Sequence, residues 1–219
     1  MSAGRRPYDV PKRAIDVVVS AVALVLTAPL QAVVAVLVAR DLGRPVLFRQ
    51  VRPGKDGAPF TLVKFRSMRS AAPDAAPEQD AERLTPFGRL LRSTSLDELP
   101  SLWNILRGDM SLVGPRPLLM AYLPLYTPRQ ARRHEVRPGL TGLAQVRGRN
   151  TVAWDDRFEL DVDYVERRSL RLDLTVIAET VRTVLRREGV SSDTSATMEP
   201  FRGSVRSSDP ASPAAEATR

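Results

Sequence analysis

The residues best suited to chemistry lie at positions 97–117, DELPSLWNILRGDMSLVGPRP, where two adjacent carboxylates, Asp97 and Glu98, precede a short apolar segment and a Gly-Pro-Arg-Pro turn. Neighbouring carboxylates can divide labour, one as nucleophile and the other as ligand for a divalent cation. In the turn, Pro115 and Pro117 fix the backbone on either side of Arg116, which cuts the entropy lost when that guanidinium grips a phosphate. Together they read as an anion-handling site. Blander readings stand beside this one. Ser95-Leu96-Asp97-Glu98 fits an S-x-x-E capping box, which would account for Glu98 but not for Asp97 and is compatible with a catalytic role. A proline-flanked arginine can also be a rigid surface turn.

Further cations stand upstream. If residues 60–66 form a strand, Phe60, Leu62, Lys64 and Arg66 share one face and present two cations at the end of an apolar strip. An exposed edge strand carries lysine for another reason, to discourage aggregation. A second basic turn, RPGLTG at 137–142, leads into Gln145, Arg147, Arg149 and Asn150, without the spacing of a nucleotide-binding P-loop. The chain has no cysteine, which excludes disulfides, cysteine-bound zinc and a thiol nucleophile. Its one histidine, His134, sits in Arg-Arg-His-Glu with nothing adjacent to make it catalytic, and reads as a surface or loop residue.

The elements that must position these groups follow from the apolar pattern. Residues 14–39, AIDVVVSAVALVLTAPLQAVVAVLVA, match the roughly 20 apolar residues that a membrane helix needs. Pro29 in its interior predicts a kink. Arg5, Arg6, Lys12 and Arg13 precede the run, and Arg40, Arg44, Arg49, Arg52 and Lys55 follow it. Positive flanks prefer the cytoplasm, so a re-entrant hairpin satisfies both sides and a straight anchor is the alternative. The run exceeds the h-region of a signal peptide, roughly 7 to 15 residues. Residues 45–52 and 60–66 predict strands joined by Pro53-Gly54-Lys55-Asp56-Gly57, and the Ala-, Pro- and acid-rich stretch 71–82 predicts a loop. A short helix follows at 85–92, and a second, of about two turns, ends at Gly108 with Trp103 in the core. A basic amphipathic helix around 174–187 would lie on an anionic membrane or pack on the catalytic body.

The expected architecture is α+β: a basic segment at 1–13, a re-entrant membrane helix at 14–39, a mainly helical cytoplasmic catalytic domain with a β-hairpin and amphipathic interfacial helices at 40–189, and a disordered tail at 190–219. The formal charge of +8 favours partners that carry phosphate. A membrane-anchored nucleic-acid-binding protein or an adaptor is the competing class, but aromatics make up only 5% of the chain and no reader helix appears, so nucleic acid is not the expected partner.

Several ordered motifs carry a resemblance over about residues 12–189: KRAIDVVVS with the Pro29-containing run, KFRSM at 64–68, SLDELPSLWNILRGDMSLVGPRP, RPGLTGLAQVRGRN at 137–150 and SLRLDL from Ser169. In these the chain resembles the bacterial sugar transferases, or monotopic phosphoglycosyl transferases, of the small single-domain type. The resemblance implies transfer of a phosphosugar from a UDP-sugar to a polyprenyl phosphate such as undecaprenyl phosphate, with release of UMP. This would be the first membrane step of exopolysaccharide, capsule or other glycan synthesis, at the cytoplasmic face of the bacterial inner membrane. It implies Asp97 as nucleophile of a covalent phosphosugar intermediate, Glu98 as the Mg2+ ligand, and Arg92 and Arg116 as groups that bind phosphate or nucleotide. Lys64 and Arg66 are weaker assignments of the same kind. It also admits a homodimer. The segment after Gly189 carries no family motif.

Overall fold

The computed structural model describes residues 6–69, 83–148, 153–186 and 200–203. The loop expected at 71–82 lies outside them, as does most of the tail. The apolar run forms α1 (Asp9–Asp41), one uninterrupted helix that carries Pro29 in its interior. At 1.5 Å per residue it is about 50 Å long. Its polar side chains near the proline are satisfied internally: Thr27 Oγ1 donates to the Ala23 carbonyl at 2.6 Å and accepts from Gln31 Nε2 at 2.9 Å. Val18, Val22, Val25, Leu26 and Val33 remain more than half exposed.

The strand pattern holds. β1 (Leu47–Pro53) and β2 (Pro59–Phe65) pair antiparallel with Phe48 opposite Lys64 and Arg52 opposite Phe60. The turn closes through a 3-10 segment at Lys55–Gly57, where Asp56 and Gly57 take positive φ. The second edge of β2 is not left open. Asn104 accepts from the Val63 amide and donates to the Thr61 carbonyl, and Ser101 Oγ donates to the Val63 carbonyl. Those two buried side chains belong to the segment that follows α2 (Pro86–Ser93) and includes α3 (Leu102–Arg107). On α3, Leu102 and Ile105 face the core, but Trp103 is 51% exposed, so its expected core placement is corrected. At two turns, α3 needs that face for solvent once Asn104 is drawn against β2.

The two turn motifs meet in a short parallel sheet that the apolar pattern does not reveal. β3 (Ser111–Val113) pairs with β4 (Gly139–Thr141), and the Gly114 amide donates to the Thr141 carbonyl at 2.9 Å. Glycine is required here by close approach: a β-carbon on Gly139 would lie 2.1 Å from the Gly114 nitrogen, and one on Gly142 would lie 2.2 Å from its oxygen. After β4 come α5 (Leu143–Arg147), α6 (Trp154–Arg167) and α7 (Leu170–Arg186); α4 (Pro128–Ala131) precedes β4. Val113, Leu143, Tyr164 and Val176 form the core beneath the sheet. α7 divides its apolar face: Leu172, Val176 and Ile177 pack inward while Leu170, Leu174 and Val181 stay exposed.

Both ends of α1 are fastened to this body. Near the start, Arg13 donates to the Ile105 and Leu106 carbonyls at the end of α3, Lys12 pairs with Asp173, and Asp16 accepts from the Leu112 amide. Near the end, Val34 and Val38 join Phe65 and Leu91 in a buried cluster. Two of the basic flanking residues thus serve as protein contacts. Within the tail expected to be disordered, Pro200 to Gly203 are described and Phe201 is buried, a correction to that expectation for this stretch. The cause is an aromatic surface that the tail's composition does not disclose.

Candidate active site

Asp97 and Glu98 sit in a 3-10 segment, Leu96–Ser101, whose entry turns on one residue. Ser95 has φ +56°, a left-handed conformation uncommon for a residue with a β-carbon. It redirects the chain between α2 and the 3-10 turn, and its side chain makes no cap contact. The capping box is thus absent: a capping serine needs extended backbone to reach the free amides, and Glu98 points elsewhere.

Glu98 Oε1 accepts from Lys64 Nζ and from Arg116 Nη2, the latter at 3.0 Å. Lys64 arrives from β2 and Arg116 from the turn after β3, so three separated segments converge on one carboxylate. Lys64 and Glu98 are each 17% exposed at the side chain, whereas Arg116 is 44% exposed and opens to solvent. Burial alone would raise the Glu98 pKa, but Arg116 and Lys64 more than offset it and hold it at about 2. Burial, helped by Arg116, pulls Lys64 below its ordinary value.

Asp97 is placed differently. It is buried, and among the described residues no hydrogen bond reaches its carboxylate. Burial first, and then the Glu98 charge beside it, push its pKa up to about 6, against the pull of Lys64, Arg116 and Arg92. An unbonded carboxylate in a cationic surround keeps its lone pairs for an incoming electrophile.

The other expected residues separate. Arg92, at the end of α2, donates Nε to Ser67 Oγ at 3.2 Å and lies close enough to act on Asp97. Its helix is pressed against the end of the hairpin, where a β-carbon on Gly88 would lie 1.9 Å from the Ser67 carbonyl oxygen. Arg66 does not join the carboxylates in any described contact. Its buried guanidinium donates to the carbonyls of Leu42, Gly43 and Arg44 just beyond α1, where a cation also suits the helix dipole. Lys64 and Arg66 share a strand face by parity but part because Arg66 falls beyond the end of β2. His134 is half-buried in a 3-10 segment, with Nδ1 at 3.3 Å from the Gly54 carbonyl and its ring against Tyr126. Burial holds it neutral, at about 4. It supports the hairpin turn and is not the loop residue expected.

Sequence reasoning missed Arg52, Asn104 and Arg133. Arg52 donates toward the Pro117 carbonyl beside the Arg116 turn, at 3.4 Å. Asn104 is the polar break in Leu-Trp-Asn-Ile-Leu and was findable as such; Arg133 sat in a charge run and gave no signal.

Among the described residues no cluster of three or more acidic, histidine or cysteine side chains could cage a metal ion. Mg2+ seldom needs one, since it is commonly held by one or two carboxylates plus substrate phosphates. The adjacent pair fits an ion that arrives with a phosphorylated substrate.

A sequence model of the bacterial sugar transferases matches residues 7–187. Over 196 residues the chain is 51% identical to an uncharacterized sugar transferase, EpsL, of Bacillus subtilis (strain 168), covering 88% of this chain and 96% of that one. It is 45% identical over 192 residues to the UDP-glucose:undecaprenyl-phosphate glucose-1-phosphate transferase of Caulobacter vibrioides, covering 83% and 72%. With the undecaprenyl-phosphate galactose phosphotransferase of Salmonella typhimurium it shares 38% identity over 196 residues, 81% of this chain but 41% of that larger protein.

Proposed function

The chain belongs to the bacterial sugar transferase family, and from that premise we propose that it transfers a phosphosugar from a UDP-sugar to undecaprenyl phosphate, or a similar polyprenyl phosphate, releasing UMP. The observation that carries the mechanism is the contrast within the dyad: Asp97 buried and, among the described residues, without a hydrogen bond to its carboxylate, Glu98 clamped between Lys64 and Arg116. A carboxylate oxygen of Asp97 attacks the sugar-linked phosphorus, a P–O bond forms, and the bond to the leaving phosphate breaks with its electron pair departing on UMP. An oxygen of the lipid phosphate then attacks the same phosphorus and expels the Asp97 carboxylate. The product is a lipid diphosphosugar.

Arg116 and Lys64 bring fixed positive charge to where phosphate oxygens gather, without needing reorganisation as the leaving group departs. Arg92 adds a third cation on the Asp97 side. Glu98, with Asp97 beside it, would hold Mg2+ delivered with the donor; the ion would neutralise charge on the diphosphate. The binding of Glu98 to two cations also keeps it from competing as a nucleophile.

A soluble donor and a lipid acceptor must meet at headgroup depth. The exposed valines and leucines of α1 supply the apolar surface. Because Asp9, Lys12, Arg13 and Asp16 at one end and Val34 and Val38 at the other hold the same body, a segment that enters and leaves by one face is favoured over a straight span. A span would place those two sets of contacts on opposite sides of a hydrocarbon layer about 30 Å thick. With the basic flanks, this supports the cytoplasmic face of the inner membrane. The test is UMP release from a panel of UDP-sugars with undecaprenyl phosphate and Mg2+, comparing wild type with Asp97→Asn. Release by the wild type alone, with a phosphosugar adduct on the Asp97 peptide by mass spectrometry, is expected; equal release by both proteins would overturn the Asp97 mechanism.

A further inference from the structure

Phe201 returns from the C-terminal segment to close an aromatic cage. Its ring lies 5.0 Å from Phe158 and 5.7 Å from Tyr122 in edge contacts, 5.9 Å from Tyr126 in a stack and 5.7 Å from Trp154, measured between ring centres. Its amide donates to the Tyr122 hydroxyl at 3.1 Å. The cage holds a cation. The Arg133 guanidinium sits 5.7 Å from the Tyr126 ring centre and 5.5 Å from that of Phe158, and both Nε and Nη2 donate to Asp161 Oδ2, at 3.0 and 2.7 Å. Arg133 is 2% exposed and Asp161 4%. Nη2 also donates to the backbone carbonyl of Arg116 at 2.8 Å. Direct contacts therefore run from Phe201 through the Tyr126 and Phe158 rings to Arg133, and from there to the backbone of the residue whose side chain grips Glu98.

A buried ion pair is weak evidence for stability, since apolar residues of similar volume commonly stabilise as well. An apolar replacement could not hold a carbonyl, and that is what Arg133 does. We propose that Arg133 is a positioning residue for Arg116, and that Phe201, beyond the stretch matched by the family model, seats the cage that keeps Arg133 in place. The inference rests on the reading of Arg116 as the donor-phosphate group. The rings exclude water from the Arg133–Asp161 pair and so strengthen its hydrogen bonds. Without the Phe201 ring, water reaches the guanidinium, its rotamers loosen, and the Gly-Pro-Arg-Pro turn loses its fixed anchor.

The test is a double-mutant cycle on full-length protein, reading kcat/KM for the UDP-sugar. Phe201→Ala should lower it about 2- to 30-fold, and Arg202→Ala, on an exposed neighbour, should leave it unchanged. Arg116→Lys keeps the charge but loses the guanidinium fork, and adding Phe201→Ala to it should cost less than about twofold more, because the two changes act on one group. If Arg116→Lys itself transfers as well as wild type, the Arg116 reading fails and takes this inference with it. If Arg116→Lys is impaired while Phe201→Ala matches wild type, or the two losses multiply, including through an unfolded fraction, the positioning inference alone fails.

Discussion

Asp97→Asn should remove transfer and yet make the protein more resistant to heat as the pH rises. In the folded chain the Asp97 pKa stands at about 6 against an ordinary 3.8. A carboxylate raised in the folded state binds its proton more tightly there than in the unfolded chain, so stability falls as pH rises between those values and the penalty is complete above about pH 6. At about 1.36 kcal/mol per pH unit, the ionised Asp97 costs about 3 kcal/mol at pH 8. Asparagine carries no charge at any pH and so escapes this cost. It brings a buried amide with a cost of its own, but one that does not vary with pH. The quantity to measure is therefore the Tm difference between Asp97→Asn and wild type, in detergent and chelator, from pH 4 to pH 8. About 0.6 kcal/mol of this cost is already present at pH 4, so about 2.4 kcal/mol develops between pH 4 and pH 8; at about 2–4 °C per kcal/mol for a chain of this size, the difference should shift by about 5–10 °C in favour of Asp97→Asn, with a little under half of that below pH 5. A difference that stays flat over this range would refute the account of Asp97 as a carboxylate held at a cost in stability.

Lys64→Met should leave Glu98 with one cation, lower kcat/KM for the UDP-sugar more than tenfold and cost up to about 3 kcal/mol in stability, the low end for breaking a buried pair; unchanged kinetics would remove Lys64 from the site. Asn104→Leu strips the Val63 amide and Thr61 carbonyl of their partners and should cost about 2–3 kcal/mol by thermal unfolding. An unchanged Tm there would mean that the free edge of β2 needs no cover. Gly88→Ala, whose β-carbon would meet the Ser67 carbonyl oxygen at 1.9 Å, should cost at least about 1–3 kcal/mol, and wild-type stability would contradict that packing. Chelation should abolish UMP release and Mg2+ restore it, with Glu98→Gln raising the Mg2+ concentration required. Release that survives chelation would remove the ion from the reaction.

The dyad, the proline-bracketed arginine and the hairpin were legible because each is encoded locally: adjacent carboxylates, two prolines around one arginine, two β-rich runs about a Pro-Gly turn. What escaped is long-range. Nothing in Arg-Arg-His-Glu tells which arginine is buried beneath aromatic rings, because Arg132 and Arg133 differ only in which way a 3-10 turn faces. The β3–β4 pair escaped because three-residue strands show no periodicity, although Gly114, Gly139 and Gly142 marked where backbones touch. Pro29 predicts a kink by its missing donor, and α1 carries it in the interior of one continuous 33-residue helix. Arg66 stands apart from Lys64 because parity fixes a face and not a partner: one residue past the strand, its guanidinium donates to three carbonyls beyond α1.

The division of labour inside the dyad is likewise a matter of tertiary placement, since Asp97 and Glu98 are neighbours in sequence and differ by one methylene. The left-handed Ser95 sets the turn so that Glu98 reaches the Lys64 ammonium and the Arg116 guanidinium, while Asp97 enters a buried position where no described residue hydrogen-bonds its carboxylate. Glu98 is then held ionised at about 2 and Asp97 is pushed to about 6. Titratable neighbours driven apart by their surroundings are the usual mark of distinct roles. The roles proposed for the two carboxylates agree with the direction of each shift. A carboxylate already neutralised by two cations is a poor nucleophile and a stable electrostatic anchor, whereas one that is desolvated and unbonded holds its charge at a cost that bond formation to phosphorus would relieve. Exchanging the two residues, Asp97→Glu with Glu98→Asp, keeps composition and charge but should abolish transfer, because the longer side chain would be crowded in the unbonded position and the shorter one would fall short of Lys64 and Arg116. Activity near wild type in that double variant would mean that the pair acts as an undivided acidic patch.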